Sequence, residues 1–100
     1  MSDNIKKKVG KKIRSLRKLR GFTQEELGEK AGISYKFIGQ IERAEVNPSL
    51  SSLIKIAQAL NVNVKELFPG EAEIYPQFSS QDLKLIKKAL RLLGNAFSKI

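Results

Sequence analysis

Apolar residues recur at three- and four-residue steps along most of this chain, which is the spacing of residues on one face of an α-helix. The members of the first series are Ile5, Val9, Ile13, Leu16 and Leu19. Asp3 precedes this series as a candidate N-cap residue, and Gly21 follows it as a C-terminal glycine. A first helix is therefore predicted between them, and lysine and arginine occupy most of its remaining surface.

Four shorter helices are predicted from N-cap residues that stand before further apolar series. These cap residues are Thr23, Ser34, Ser49 and Asn63, and the first and last of them have glutamate three residues later, which is the capping-box spacing. The third helix is predicted over about 35–43. The inward positions of the fourth helix are Leu50, Leu53, Ile56, Ala57 and Leu60. The fold class predicted is all-α.

Residues 24–43 form two of these helices, joined by a tight turn at Gly32, where only glycine adopts a positive φ at little cost. Gly28 stands where the two helices would cross and leaves room for close approach. The positions expected to be buried are Leu27, Ala31, Ile33, Ile38 and Ile41. Two short helices of this kind are typical of a helix-turn-helix, whose second helix lies in the major groove of DNA.

Together with its flanks, this segment resembles the lambda-repressor/Cro-like helix-turn-helix family of prokaryotic and phage DNA-binding regulators. The resemblance runs from about Val9 to Phe68. Its other blocks are Ile13-Arg14-Ser15-Leu16-Arg17, Asn47-Pro48-Ser49-Leu50 and the fourth and fifth helices. The resemblance implies a five-helix DNA-binding domain, followed here by an additional C-terminal amphipathic helix.

One position departs from the family pattern, because Ala44 stands where most relatives have a glycine that ends the third helix in a left-handed turn. Alanine costs about 1 kcal/mol or more in that conformation. The third helix is therefore expected either to run further or to end differently before Pro48.

The outer face of the third helix carries the candidate DNA-contacting residues. Tyr35, Lys36, Gly39, Gln40 and Arg43 share one stripe by helical spacing, opposite the apolar positions. The N-terminal part of a recognition helix meets the base edges, so the predicted base-contacting residues are Tyr35, Lys36 and Gln40. Gln40 suits adenine, and Lys36 suits the acceptors of guanine.

The family resemblance implies further roles for named positions. The residues that match its phosphate contacts are Gln24, Ser34, Arg43 and Asn47. Arg17 and Glu42 match a partly buried salt bridge that ties the first helix to the third. Such contacts position the protein on DNA without reading its sequence.

The net charge of +9 is distributed unevenly along the chain. Residues 1–20 carry a net charge of +8, residues 21–75 a net charge of −3 and residues 76–100 a net charge of +4. Long-range attraction to a polyanion is therefore expected from the two ends of the chain.

The chain contains no cysteine and no histidine. Disulfides, zinc sites of the usual thiolate and imidazole kind, and Ser-His or Cys-His nucleophilic chemistry are thereby excluded. We predict no metal, no cofactor, no small-molecule ligand and no enzymatic activity. The sequence has neither a signal peptide nor a membrane-spanning segment, so a cytoplasmic location without membrane contact is expected.

Four regions are predicted: a basic N-terminal arm or the start of helix 1 (1–8), the DNA-binding domain (9–69), a linker (70–79) and the C-terminal amphipathic helix (80–100). The heptad positions of that helix, predicted to mediate dimerisation, are Leu83, Ile86, Leu90, Leu93 and Phe97. Its apolar stripe could pair with a second copy of the chain, fold back on the fourth and fifth helices, or lie in a membrane interface.

These features predict a sequence-specific transcriptional regulator that binds double-stranded DNA. The resemblance implies a dimeric repressor, expected to recognise an inverted-repeat operator with its third helix. The alternative is a protein-interaction module, such as an antitoxin or a bridging coactivator, in which the C-terminal helix binds a different partner protein.

Overall fold

The computed structural model describes residues 1–70 and eight helical residues further along. Those eight are Gln81, Lys84, Leu85, Lys87, Lys88, Ala89, Arg91 and Leu92. The chain divides into two compact units, Met1–Pro69 and Gly70–Ile100. All regular secondary structure in the described residues is helical, which confirms the all-α prediction.

The first unit contains four α-helices and one 3-10 helix. They are α1 (Asp3–Leu19), α2 (Gln24–Ala31), α3 (Tyr35–Glu42), α4 (Leu50–Ala59) and the 3-10 helix Val64–Leu67. The sequence allowed two alternatives for residues 1–8, a basic arm or the start of the first helix. In the structure residues 3–8 belong to α1. The fifth predicted helix is a single 3-10 turn.

Each of the five helices of the first unit begins at a side chain that accepts a backbone N–H from its first turn. At α2 the predicted capping box is present, with Glu26 N–H donating to the Thr23 hydroxyl at 3.0 Å and Thr23 N–H donating to the Glu26 carboxylate at 3.1 Å. The cap predicted for α1 was wrong by one residue. Ser2, not Asp3, accepts the N–H of Ile5 at 3.2 Å. Asp3 is the first helical residue, where its charge suits the positive end of the helix dipole.

The four α-helices of Met1–Pro69 all end in a Schellman motif, in which two backbone N–H groups turn back to the carbonyls of the last turn. The left-handed residues that make these turns are Gly21 (φ 74°), Gly32 (φ 69°), Ala44 (φ 59°) and Asn61 (φ 58°). At α3, Ala44 N–H donates to the Ile41 carbonyl at 3.1 Å and Glu45 N–H donates to the Gln40 carbonyl at 2.9 Å. α3 therefore keeps the left-handed turn although alanine occupies it, and ends at Glu42 rather than running further.

One core joins the elements of this unit. α2 packs against α3 and α4, and α1 packs against α3 and the 3-10 helix. The buried apolar residues are Val9, Ile13, Leu27, Ala31, Ile38, Ile41, Leu53, Ile56, Ala57, Leu60 and Leu67. They include four of the five positions expected to be buried in the helix-turn-helix, and the fifth, Ile33, is partly buried against them. Gly28 permits the close crossing of α2 and α3, since a Cβ there would lie 2.5 Å from the Ile33 carbonyl oxygen.

Two predicted inward positions are exposed instead. Leu19 is 77% exposed and Leu50 is 62% exposed. At the end of α1 the buried face includes Arg17. An α-helix turns by about 100° per residue, so Leu19, two residues later, lies about 160° around the axis from Arg17, on the opposite side of the helix. Leu50 is the first residue of α4 and lies one turn before Leu53, at which the buried face of that helix begins.

Candidate nucleic-acid interface

α3 has an inner face in the core and an outer face in solvent. Ile38 and Ile41 are buried on the inner face. On the outer face Tyr35 is 51% exposed, Lys36 is exposed and Gln40 is half-buried. The structure thus places the three residues predicted to contact bases on one accessible side of a helix whose other side is fixed by burial.

A depression of about 320 Å³ lies over this outer face. It is lined by Gln24, Tyr35, Lys36, Gly39, Gln40 and Arg43. We call these six residues the recognition surface. It brings together the three predicted base-contacting residues and two of the four predicted phosphate-contacting residues. Those two are Gln24, from the start of α2, and Arg43, at the end of α3.

The two other predicted phosphate-contacting residues do not line this depression. Ser34 is the N-cap of α3, and its hydroxyl oxygen accepts the N–H of Phe37 at 3.2 Å while its own proton remains available to donate. Asn47 is exposed in the loop between α3 and α4. Neither residue therefore belongs to the recognition surface.

The inner side of α3 is anchored by an ion pair between Arg17 and Glu42. Arg17 Nε donates to Glu42 Oε2 at 2.7 Å, and Arg17 Nη2 donates to Glu42 Oε1 at 3.1 Å. The two side chains are only 11% and 3% exposed. The hydrogen bond to Glu42 raises the pKa of the Arg17 guanidinium above its ordinary value, although burial opposes the shift. The pair that the family resemblance implied is thus present as a bidentate contact between α1 and α3.

The same ion pair also holds the chain at the start of α2. Arg17 Nη1 donates to the carbonyl of Phe22 at 2.8 Å, and Gln24 Nε2 donates to Glu42 Oε1 at 3.2 Å. The side-chain oxygen of Gln24 then faces the recognition surface, 3.3 Å from where a Cβ on Gly39 would lie. Buried polar groups that are fully satisfied in this way hold a rigid arrangement.

Gly10 supports this site, although no pattern in the sequence indicates it. A Cβ at this position of α1 would lie 2.6 Å from the carbonyl oxygen of Ile41 and 2.7 Å from that of Glu42. Because both atoms belong to the backbone, they cannot move aside as a flexible side chain can. Gly10 therefore lets α1 pack directly against the C-terminal end of α3.

A second ion pair, between Arg43 and Glu45, lies at the outer end of α3. Arg43 Nε donates to Glu45 Oε1 at 2.8 Å, and Arg43 Nη2 donates to Glu45 Oε2 at 3.3 Å. The hydrogen bond to Arg43 lowers the pKa of the Glu45 carboxyl, and the same bond raises the pKa of Arg43. Glu45 was not among the predicted site residues.

The helix-turn-helix family HTH_3 matches residues 13–67, which is more than half of the chain and includes α2, α3, α4 and the C-terminal part of α1. The chain belongs to this family. The resemblance noted in the sequence is thereby confirmed, and α3, whose outer face supplies most of the recognition surface, is the second helix of a helix-turn-helix.

Two curated relatives extend the match beyond the family region. The immunity repressor protein of Bacillus phage phi105 is 38% identical over 85 residues, which cover 82% of this chain and 59% of the phage protein. The HTH-type transcriptional regulator SinR of Bacillus subtilis is 35% identical over 85 residues, which cover 82% of this chain and 77% of SinR. The chain thus spans less than two thirds of the length of the phage repressor.

Solved structures of this family are similar as well. The restriction-modification controller protein C.AhdI from Aeromonas hydrophila is 36% identical with a TM-score of 0.62, covering 63% of this chain and 96% of its own. SinR, solved in complex with DNA, is 38% identical with a TM-score of 0.57, covering 59% of this chain and 95% of its own. These similarities confirm the lambda-repressor-like fold of the helix-turn-helix protein.

The five positions predicted to mediate dimerisation of this helix-turn-helix protein lie outside the described residues. They are Leu83, Ile86, Leu90, Leu93 and Phe97. Of their described neighbours, Leu85 and Leu92 are 63% and 61% exposed. None of the helices among the described residues has both the length and the apolarity to cross a membrane. Within the same residues, no three Asp or Glu side chains are grouped as metal ligands.

Proposed function

We propose that this chain is a sequence-specific transcriptional regulator that recognises duplex DNA by inserting α3 into the major groove. The observation that carries this function is the recognition surface, which gathers five polar side chains on and around the outer face of a short helix. The inner face of that helix is fixed by buried isoleucines and by the Arg17–Glu42 pair. A reading helix has to be rigid, because base discrimination depends on donors and acceptors held in register with the groove.

The residues of the recognition surface have separable roles in this proposal. Tyr35, Lys36 and Gln40 contact base edges, and Lys36 and Gln40 supply the donors and acceptors that distinguish one base pair from another. Gln24 contacts a phosphate, as Ser34 does beside the surface, and such contacts set the register of the protein on the duplex. No catalytic role is assigned to any residue.

We further propose that the regulator is a homodimer and acts as a repressor. A two-fold dimer presents two copies of α3 to an inverted repeat, one in each half-site. The relatives support the proposed role as a DNA-binding repressor, since one is named as an immunity repressor and another is solved in complex with DNA. The C-terminal heptad positions supply an apolar stripe that needs a partner surface, because a helix of this length is marginal by itself.

Selection of bound sites from random duplexes by the purified full-length chain tests the function. We expect an inverted repeat to be enriched. Gln40→Ala should relax the base preference at one position of each half-site, whereas Gln24→Ala should weaken binding to all sites by a similar factor. Gln58→Ala is the matched control, since Gln58 is exposed on α4 and does not line the recognition surface. Equal binding to every duplex by the unchanged chain would refute the proposal.

Sedimentation of the full-length chain tests the dimer separately. A charged residue on the apolar stripe, as in Leu90→Lys, should convert the dimer into monomers and weaken binding to the inverted repeat more than binding to a half-site. The matched control is Lys87→Arg, which keeps the charge at a helical position. A chain that sediments as a monomer, or a dimer unaffected by Leu90→Lys, would contradict the assignment of this helix.

A further inference from the structure

Arg43 is held in an unusual way for a residue whose expected partner is a phosphate. Its side chain is 57% exposed, and that of Glu45 is 50% exposed. The two nevertheless form a bidentate pair, with Nε and Nη2 of the guanidinium 2.8 and 3.3 Å from the two carboxylate oxygens. The left-handed turn at Ala44 makes this possible, because it folds the backbone so that Glu45 returns beside the end of α3.

The pairing leaves one edge of the guanidinium available. A guanidinium carries five N–H groups in a fixed planar fork, and Glu45 occupies the edge formed by Nε and Nη2. The edge formed by Nη1 and Nη2 makes no hydrogen bond to any other residue in the described part of the chain. That edge can still donate two parallel hydrogen bonds.

The available edge lies on the recognition surface. Arg43 Nη1 is 2.9 Å from the place where a Cβ on Gly39 would be, so the guanidinium extends back along the outer face of α3. Arg43 lines the same depression as Lys36 and Gln40, which are predicted to contact bases. The absence of a side chain at Gly39 provides the space in which the guanidinium lies.

Guanine is the base whose major-groove edge fits this group. It presents two acceptors, O6 and N7, at the spacing of a guanidinium fork, and a bidentate arginine is the commonest specific contact to it. A carboxylate beside the DNA repels phosphates, so Glu45 reduces general affinity for the duplex. Its position is better explained by orientation of Arg43 than by attraction of DNA.

We propose that Arg43 reads a guanine in the major groove and that Glu45 is the positioning residue that aims it. Glu45 fixes the plane of the guanidinium, Gly39 leaves room for it, and the Nη1–Nη2 edge donates to O6 and N7. This inference rests on the proposed function, because it requires α3 to lie in the major groove. It replaces the phosphate contact that the family resemblance implied for Arg43.

The experiment compares base preferences of full-length variants by selection from random duplexes, followed by binding titrations on the selected site and on single base-pair changes. The unchanged chain should select one guanine in each half-site that depends on Arg43, preferred over other bases by about 5- to 150-fold. Glu45→Gln should reduce this preference several-fold at that position alone. Arg43→Lys, which keeps the charge and loses the fork, should remove it.

Matched variants distinguish orientation of Arg43 by Glu45 from a general effect of charge on DNA binding and from a loss of stability. Glu29→Gln removes one exposed negative charge from α2 and should leave the guanine preference unchanged. Gly39→Ala should reduce the preference as Glu45→Gln does, since its methyl group displaces Nη1. Thermal unfolding of Glu45→Gln should match that of the unchanged chain, which rules out a loss of fold as the cause.

Two results would overturn the inference while leaving the proposed function intact. One is that Glu45→Gln tightens binding to every duplex by the same factor, which is the behaviour of a phosphate-contacting Arg43 relieved of a competing charge. The other is that Arg43→Lys retains the full base preference. Failure of the unchanged chain to enrich any site would instead refute the proposed function itself.

Discussion

Ala44 provides the sharpest test of the physical argument for this fold. Three residue types occupy the four left-handed helix ends of Met1–Pro69, and alanine is the one least suited to the conformation, since glycine has no Cβ and asparagine tolerates it. We therefore predict that Ala44→Gly stabilises the protein. The substitution changes no hydrogen bond, because the backbone donors of the Schellman motif remain in place.

The expected magnitude follows from two opposing effects. Relief of the left-handed alanine contributes roughly 1–2 kcal/mol. Glycine makes the unfolded chain more flexible, which removes about 0.4–1 kcal/mol of that gain. The net increase in the free energy of unfolding is about 1 kcal/mol, and for a domain of this size it corresponds to a rise of about 4–8 °C in Tm.

Urea and thermal unfolding of the full-length chain, followed by circular dichroism, measure this change. Gly21→Ala is the reverse experiment, because Gly21 has a φ of 74° and a Cβ there would meet nothing within 4 Å. Gly21→Ala should lower the free energy of unfolding by about 1 kcal/mol, because the left-handed conformation is unfavourable for alanine. Asn61→Gly is the matched control and should change the stability by less than Ala44→Gly does, since asparagine is already suited to this turn.

The reasoning is refuted if Ala44→Gly leaves the unfolding midpoint unchanged or lowers it while Gly21→Ala is destabilising. The slope of the urea transition has to remain the same for this comparison, because a change in slope reports a change in the unfolded or folded ensemble. DNA binding should be unaffected at a temperature well below the transition, since the outer face of α3 is not altered.

Three further predictions concern packing and the buried ion pair. Gly10→Ala should lower the free energy of unfolding by about 1–3 kcal/mol because its methyl group meets backbone carbonyls, and urea midpoints equal to those of the surface control Ser15→Ala would contradict this. Glu42→Gln should lower the free energy of unfolding by about 3 kcal/mol, because it leaves Arg17 without its buried counter-charge. Adding Arg17→Met should recover much of this loss. If the losses of the two single variants simply add in the double variant, the ion pair is not the cause. Leu19→Lys should change the stability by less than about 0.5 kcal/mol, since Leu19 is exposed, and a loss of the size seen for a buried leucine in thermal unfolding would place it in the core.

Local chemistry explains which parts of the fold were predictable from the sequence. The capping box at Thr23 and the turn at Gly32 depend on residues within a few positions of each other, and both are present as expected. Ser2 and Asp3 are both good cap residues one position apart, so the sequence did not distinguish them. The exposure of Leu19 depends on which way the buried face of α1 turns, and apolar spacing alone does not specify this.

The candidate site was predictable where one helix or a family pattern supplied it. Helical spacing placed Tyr35, Lys36 and Gln40 on one face, and all three line the recognition surface. Two features were not predicted, one of them a contact between residues distant in sequence and the other a contact across a left-handed turn. Gly10 contacts carbonyls about thirty residues away, and Glu45 meets Arg43 only because of the turn between them. Neither contact has a signal in residue type or spacing.

The anchoring of α3 has a consequence for how such a protein could acquire new targets. Its fixed contacts all lie at its ends or on its inner side, through Ser34, Glu42 and the backbone against Gly10. In the described part of the chain, no hydrogen bond or ion pair holds the side chains of Lys36 or Gln40. If Lys36 and Gln40 contact bases as proposed, we therefore expect their exchange to alter what the helix recognises without disturbing the contacts that keep it folded, so that retargeting and stability vary independently.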